Sequence, residues 1–374
     1  MQGSHYKVGE KTFDNYWAAC LESKKSGHFA EYVIPQWHID QLLKVDVPHI
    51  MEYSAEYWIN RKLEYIADSY STTRLQYSGG TDSHTILCQA KKLGIKFDSL
   101  WTCTGGLQGD PYYDEEFVLA FKFLQENPDY VQKHEVFRPK IEDFEFWLDA
   151  QSPYVIPRFE FTFRPHTRFI SMRGLEPVDK TISGHNKPML FVNNSKFYWI
   201  IEDASDNVGW LPNNINFFED GIVPELSVHQ AYLVKGYIET HHPDHQGFFD
   251  MKMTPIDARE AYNAWLGRVP ALSKKLASKQ FCTTYPVNEM HQRSMQEVIK
   301  LGRHDIIDGW NARRIELISE FKDLEWCIDL APCQDPYNLQ ETVDVPHRVV
   351  RLGAVFEMHQ DGLERVVDPS IFSI

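Results

Sequence analysis

Apolar positions along the chain change rhythm near Thr73. Before it they recur at helical spacing. Phe13, Trp17 and Cys20 or Leu21 fall on one face, and 51–70 repeats the pattern with Tyr57, Ile59, Leu63 and Ile66. Val33-Ile-Pro and Val47-Pro interrupt this helical prefix. After Thr73 short strands alternate with helices. Residues 74–77 read as a strand and 83–93 as a helix, with Ile86, Leu87, Ala90 and Leu93 inward and Gly94 as its stop. The next strand spans 95–103, and a helix spans 114–125 with Asp114, Glu115 and Glu116 in its first turn. A strand at 134–137, an aromatic-rich helix at 141–150 and a strand at 180–184 complete the series. Such alternation predicts βαβ units, a twisted parallel sheet with helices on both faces, and glycine loops at its carboxyl edge. Residues 205–270 show weak periodicity, 290–330 reads as helical, and 349–352 with 354–356 reads as a hairpin. The expected division is 1–72 as helical prefix, 73–205 as α/β core and 206–374 as a mixed, substrate-binding extension.

Composition narrows the class. The 374 residues are 43% hydrophobic, 24% charged and 14% aromatic, within the globular range. No apolar run is long enough to span a bilayer, and the polar N-terminus lacks a signal-peptide core, so a cytoplasmic protein is expected. A net charge of −15 argues against nonspecific nucleic-acid binding, although Arg158, Arg164, His166, Arg168 and Arg173 make one local basic cluster. The six cysteines are scattered without a Cys-x-x-Cys pair, which argues against structural zinc.

The chemistry concentrates in Tyr77-Ser-Gly-Gly-Thr-Asp-Ser83. A strand ends and a helix begins within six residues. Gly79 and Gly80 let the backbone approach a ligand, and the amides opening the helix favour an anion. Ser78, Thr81 and Ser83 add hydroxyls. Asp82 makes sense beside phosphates when a divalent cation lies between, so the local reading is a metal-assisted polyphosphate site with Asp82 as metal ligand. The spacing fits neither the Walker A loop nor the dinucleotide fingerprint.

Ser-Gly-Gly-x-Asp-Ser after a first strand resembles the PP-loop of the N-type ATP pyrophosphatases, the adenine nucleotide alpha hydrolase-like superfamily. The likeness covers roughly 74–190 in its strand–loop–helix context. It implies ATP and Mg²⁺ as cofactors and cleavage between the α- and β-phosphates to adenylate an oxygen. It implies Tyr77 to Ser83 around the nucleotide, and adenine against the end of the second strand near Thr102. It also implies a second nucleotide-facing loop at Gly184, His185 and Asn186. Lys187 is implied to stabilise the departing pyrophosphate, while Pro188 departs from the acidic residues usual there.

Within the superfamily, Gln2 in place of an N-terminal cysteine nucleophile, with about seventy residues before the loop, leads to the expectation of no built-in glutaminase. Three functions remain open. The first is an adenylating ligase acting on a small-molecule or nucleobase acceptor, with ammonia or sulfur supplied by a separate protein. The second is a PAPS-reductase-like or sulfur-transfer enzyme with Cys103 as the residue to test. The third is a non-catalytic nucleotide-binding protein. Asp110, Asp114, Asp203 and Asp206 are secondary metal candidates that read as solvated acids. His241-His-Pro-Asp-His245 has ligand chemistry, but Pro243 prevents one helical face. The aromatic and basic run 157–166 is a candidate acceptor lining.

Overall fold

A computed structural model describes residues 5–13, 22, 25–28, 30–103, 118–138, 140, 176–184, 188–201, 214–218, 221–249, 256–272, 298–306, 308–309, 312, 328–334, 342–349 and 354–366. The expected helical prefix opens instead with strands. β1 (His5–Val8), β2 (Lys11–Phe13) and β3 (Ala30–Val33) form an antiparallel sheet in the order β2-β1-β3. Gly9, at φ 58°, lies in the turn joining paired Val8 and Lys11, a left-handed position that favours a tight hairpin over a helix. Phe13 therefore lies on a strand, while Trp17, Cys20 and Leu21 lie outside the described residues. Helices follow: α1 (Gln36–Leu42), α2 (Val47–Ile50) and α3 (Ala55–Ser69). The prolines expected to break the chain start helices, Pro35 before α1 and Pro48 in the first turn of α2. The Ser54 hydroxyl caps α3 by accepting from the Tyr57 amide, and α3 buries Trp58, Ile59, Leu63 and Ile66.

A five-stranded parallel sheet follows. It contains β4 (Thr73–Gln76), β5 (Phe97–Cys103), β6 (Val131–Phe137), β7 (Lys180–Ser183) and β10 (Asn214–Asn216), in the order β10-β7-β4-β5-β6. Helices α4 (Thr81–Lys92) and α5 (Val118–Glu126) link β4 to β5 and β5 to β6. They lie on the same face. The His84 ring of α4 meets Phe123 of α5 edge-on at 4.9 Å, and Phe121 tilts against His134 of β6 at 5.5 Å. Right-handed crossovers running in one direction require this. The chain then returns to the other side of β4 to form β7. The reversal makes the gap between β4 and β7 a topological switch point, where open α/β sheets bind ligands.

A second, antiparallel sheet holds β8 (Met189–Asn193), β9 (Lys196–Ile201), β11 (Gly247–Phe249), β14 (Ala354–Met358) and β15 (Leu363–Val366), ordered β11-β8-β9-β14-β15. Asn194 and Ser195 both take positive φ, the turn that matches a two-residue hairpin between β8 and β9. β12 (Ile328–Gln334) and β13 (Thr342–Val349) make a separate ribbon. The expected tail hairpin is displaced: Val349 ends β13, and β14 pairs with β9 and β15. Two more helices are α6 (Pro224–His241) and α7 (Ile256–Trp265). α6 packs against α1, α2, α3, α7 and β8. One apolar cluster runs from Leu75 and Leu100 through Val234 and Ile238 to Trp199 and Phe356. Among the described residues no helix is long and apolar enough to cross a membrane.

Candidate functional site

The glycine loop sits at the switch point. β4 hands over to buried Tyr77, whose amide donates to the Trp101 carbonyl at 2.8 Å and so extends the sheet by one residue. Gly79 then takes φ 72°, where a side chain is strained. A Cβ there would also lie 2.6 Å from the Ala120 Cβ of α5. Gly80 is the N-cap of α4 and makes no side-chain cap. The helix therefore opens on backbone amides beside the dipole's positive end, as an anion cradle does. The hydroxyls of Ser78 and Ser83 shape the loop. Ser83 Oγ accepts from the Ser78 amide at 3.2 Å, and Ser78 Oγ accepts from the Gly80 amide at 3.3 Å. Gly184, after β7, presses on the same turn: a Cβ there would meet Asp82 and Ile86 at 3.1 Å. The two glycine loops expected at the carboxyl edge are thus adjacent.

Asp82 has a partner that its motif does not announce. Its carboxylate accepts a hydrogen bond from the Arg268 guanidinium, whose side chain is 0% exposed against 20% for Asp82. Arg268 also donates to Gln230 Oε1 at 3.3 Å and stacks over Phe218 at 4.3 Å. The carboxylate read as the metal-side acid is here the counter-ion of a buried arginine. The segment carrying Arg268 hooks onto the loop at two further points. The Val269 amide donates to Thr85 Oγ1 at 2.9 Å, and the Leu272 amide donates to the Gly79 carbonyl at 2.9 Å. Nothing in the sequence pattern marks Arg268, which simply follows Gly267 at the end of α7. Gly267, at φ 69°, supplies the left-handed turn that aims the segment back at α4.

Thr102 serves the loop from behind. Its hydroxyl donates to the Tyr77 carbonyl at 2.6 Å and lies 2.9 Å from His134 Nε2. With the hydroxyl proton spent on Tyr77, His134 donates through Nε2. Burial, with Arg138 adding repulsion, lowers His134 to about 4, so it is neutral at pH 7. A second chain links Tyr77, His84 and Cys88. The Tyr77 hydroxyl is 3.1 Å from His84 Nδ1, and Cys88 Sγ is 3.5 Å from His84 Nε2. Burial pushes the Tyr77 phenol and the Cys88 thiol up and holds His84 at about 4, so all three groups are uncharged. Uncharged, hydrogen-bonded groups behind an anion loop stiffen it without opposing its field.

The structure brings Tyr77, Ser78, Gly79, Gly80, Thr81, Asp82, Ser83, Thr102 and Gly184 together. His185, Asn186 and Lys187 lie outside the described residues, as do Asp110, Asp114, Asp203, Asp206, the 157–166 run and the basic cluster at 158–173. Cys103 closes β5. The histidines at 241–245 pack rather than converge: His241 stacks on Tyr237 at 4.4 Å, and His242 and His245 lie against Phe249. Among the described residues no group of three or more His, Cys, Asp or Glu side chains is placed to hold a metal ion. The donors at the loop fit a phosphate chain. For Mg²⁺ they offer one carboxylate, Asp82, already bound to Arg268.

No protein-family model matches the sequence, and no curated protein matches it significantly.

Proposed function

We propose that this chain binds ATP with its phosphates over 78–83 and cleaves it between the α- and β-phosphates, adenylating a carboxylate or carbonyl oxygen. The observation that carries the reading is Gly79 at φ 72°, opening an uncapped α4 at the β4–β7 switch point within Ser78-Gly-Gly-Thr-Asp-Ser83. The parallel sheet around it is, in this reading, of the adenine nucleotide alpha hydrolase type.

The chain's own residues divide the work. Amides at the start of α4 bind phosphate oxygens, and the Ser78–Ser83 pair keeps the loop in shape. Arg268 fixes Asp82 beside the bound phosphates. Lys187, four residues beyond β7, is assigned the charge that develops on departing pyrophosphate. Asp82 would hold Mg²⁺ arriving with the nucleotide, and the ion would supply charge neutralisation. The acceptor oxygen attacks the α-phosphorus and pyrophosphate leaves; an amine then attacks the adenylated carbon and displaces AMP. Ammonia or sulfur would come from a separate protein.

The test is incubation of the protein, Mg²⁺, α-labelled ATP and an ammonium salt with a panel of carboxylate and nucleobase acceptors. AMP and pyrophosphate are expected. ADP and phosphate would overturn the adenylation chemistry.

A further inference from the structure

Strand register shows that the two faces of the parallel sheet differ in kind. On the face under α4 and α5 lie Leu75, Tyr77, Leu100 and Ile182. Parallel sheets are normally apolar on both faces. Here the opposite face is polar. Arg74, Ser99 and Thr181 share one level, and Gln76 and Trp101 pair across the next. Asn216 pairs with Ser183 on that same upper level. This upper level is the last before the carboxyl edge, and Gln76 stands two residues before Ser78.

At the lower level Arg74 is matched: it donates to Ser99 Oγ at 3.1 Å and to the Glu176 carbonyl at 2.7 Å, and it reaches Glu135 on the level above at 3.5 Å. On that lower level only the side-chain oxygen of Asn214, opposite Thr181, is buried without a partner among the described residues. At the upper level such groups cluster. Gln76 is 6% exposed, and neither its amide nitrogen nor its amide oxygen has a hydrogen-bond partner. The Trp101 indole nitrogen and the Asn216 side-chain oxygen are likewise buried without one. Each such group is costly when left unpaired, and a cluster of them on neighbouring strands is not a random packing fault. A run of apolar residues would remove that cost.

We infer that Gln76, Trp101 and Asn216 form a recognition row for a flat, neutral ligand bearing adjacent hydrogen-bond donors and acceptors. The amides of Gln76 and Asn216 offer both kinds of group, as carboxamides do when they read a nucleobase edge. The indole nitrogen adds a donor. Glu135 stands opposite Trp101 on this level, and its charge is balanced by Arg74 at 3.5 Å and Lys133 at 3.0 Å, so the row is left without net charge. Asn216 and Trp101 are three strand spacings apart, about 14 Å, the length of a nucleoside rather than of a single ring. The same chemistry fits a nucleobase or a carboxamide. As the site of the adenylation acceptor, the row rests on the function proposed above; as a binding site, it does not. Gln76 and Trp101 are buried while Asn216 is partly exposed, so full engagement of the row requires the face to open at β4 and β5, and association is expected below about 10⁵ M⁻¹s⁻¹.

The experiment is calorimetry and thermal shift on the full chain with two probe sets. One is the four common ribonucleosides, and the other is nicotinamide, asparagine and glutamine. At least one member is expected to bind the native protein. Gln76→Met and, as a second variant, Asn216→Leu should each weaken that binding at least tenfold while leaving the ligand-free Tm equal or higher. A nucleoside hit and a carboxamide hit identify the two sources. Binding of neither set overturns the proposal, as does unchanged affinity in both variants. A ligand-free Tm that drops in both variants also overturns it, because the amides would then be structural. ATP binding is followed in the same samples. Its absence alone sinks the phosphate-loop reading and leaves the row standing.

Discussion

Unequal burial makes Asp82 and Arg268 unequal partners. Replacing Asp82 by Asn leaves a guanidinium with 0% side-chain exposure beside a neutral amide. Breaking a buried pair from that side costs about 3–5 kcal/mol. Arg268→Met removes the buried charge and leaves a carboxylate with 20% exposure, able to turn to water, at about 1–3 kcal/mol. Urea unfolding should therefore rank Asp82→Asn as the more damaging change, and the double variant should recover part of the loss; equal single costs would deny the asymmetry. The pairing also alters the use of Asp82→Ala. Read from the motif alone, that change removes chemistry and spares the fold. With Arg268 beneath it, it also removes a carboxylate partner of a buried cation, so activity must be compared across the double-mutant cycle. The buried histidines set the pH response. His38, His84 and His134 are each held at about 4 by burial, below the 6.5 of the unfolded chain. Between those values the unfolded state binds more protons. Their contribution is thus complete above pH 6.5 and is lost as pH falls towards 4. Unfolding free energy should decline through that window by about 1.4 kcal/mol per pH unit for each proton taken up. His84→Gln should flatten its share of the slope; an unchanged slope would mean that His84 does not titrate there.

At the scale of elements, the loop was legible because its chemistry is local. Strand, two glycines and helix follow one another in the sequence, and β4, α4 and β5 occur within a few residues of their expected places. Gly79 tests that logic. Gly79→Ala meets both a positive φ and the Ala120 Cβ, so it should lose about 2–4 kcal/mol and abolish the stabilisation by ATP that the proposed function predicts. Gly80→Ala, whose nearest contact is the Ser78 hydroxyl at 3.3 Å, should lose less than about 1 kcal/mol. Similar losses in thermal unfolding would show that the loop does not depend on the left-handed turn. Other elements were illegible for a definite reason. α6 lies in a stretch that reads as weakly periodic, yet it is 18 residues long. It packs against helices and strand on several sides, burying Ser227, His229 and Gln230 along with Val228 and Val234. A helix buried all round has no amphipathic stripe to read. The polar face of the parallel sheet was visible in principle, since Arg74 and Gln76 alternate with Leu75 and Tyr77. What the alternation could not reveal is that β7 and β10 continue it across the sheet.

At the scale of the molecule, the two large sheets share one core. The antiparallel sheet is assembled from 189–201, 247–249 and 354–366, and the last of these closes it. Phe356 is 0% exposed and lies 5.8 Å from the Trp199 ring. Both belong to the apolar cluster that continues through α6 to Leu75 and Leu100. Phe356→Ala should cost about 3–5 kcal/mol, a large fraction of the stability of an ordinary domain. Where that cost appears is the informative part. If the cluster is cooperative, amide exchange at Leu75 and Leu100 should accelerate to the same degree as at Leu190 and Trp199, although Phe356 is about 280 positions from Leu75 in sequence. Acceleration confined to β8, β9 and β14 would mean that the sheets open independently. Uniform acceleration would make the glycine loop's rigidity a property of the whole core, because the hook at 268–272 reaches the loop from a helix packed on α6.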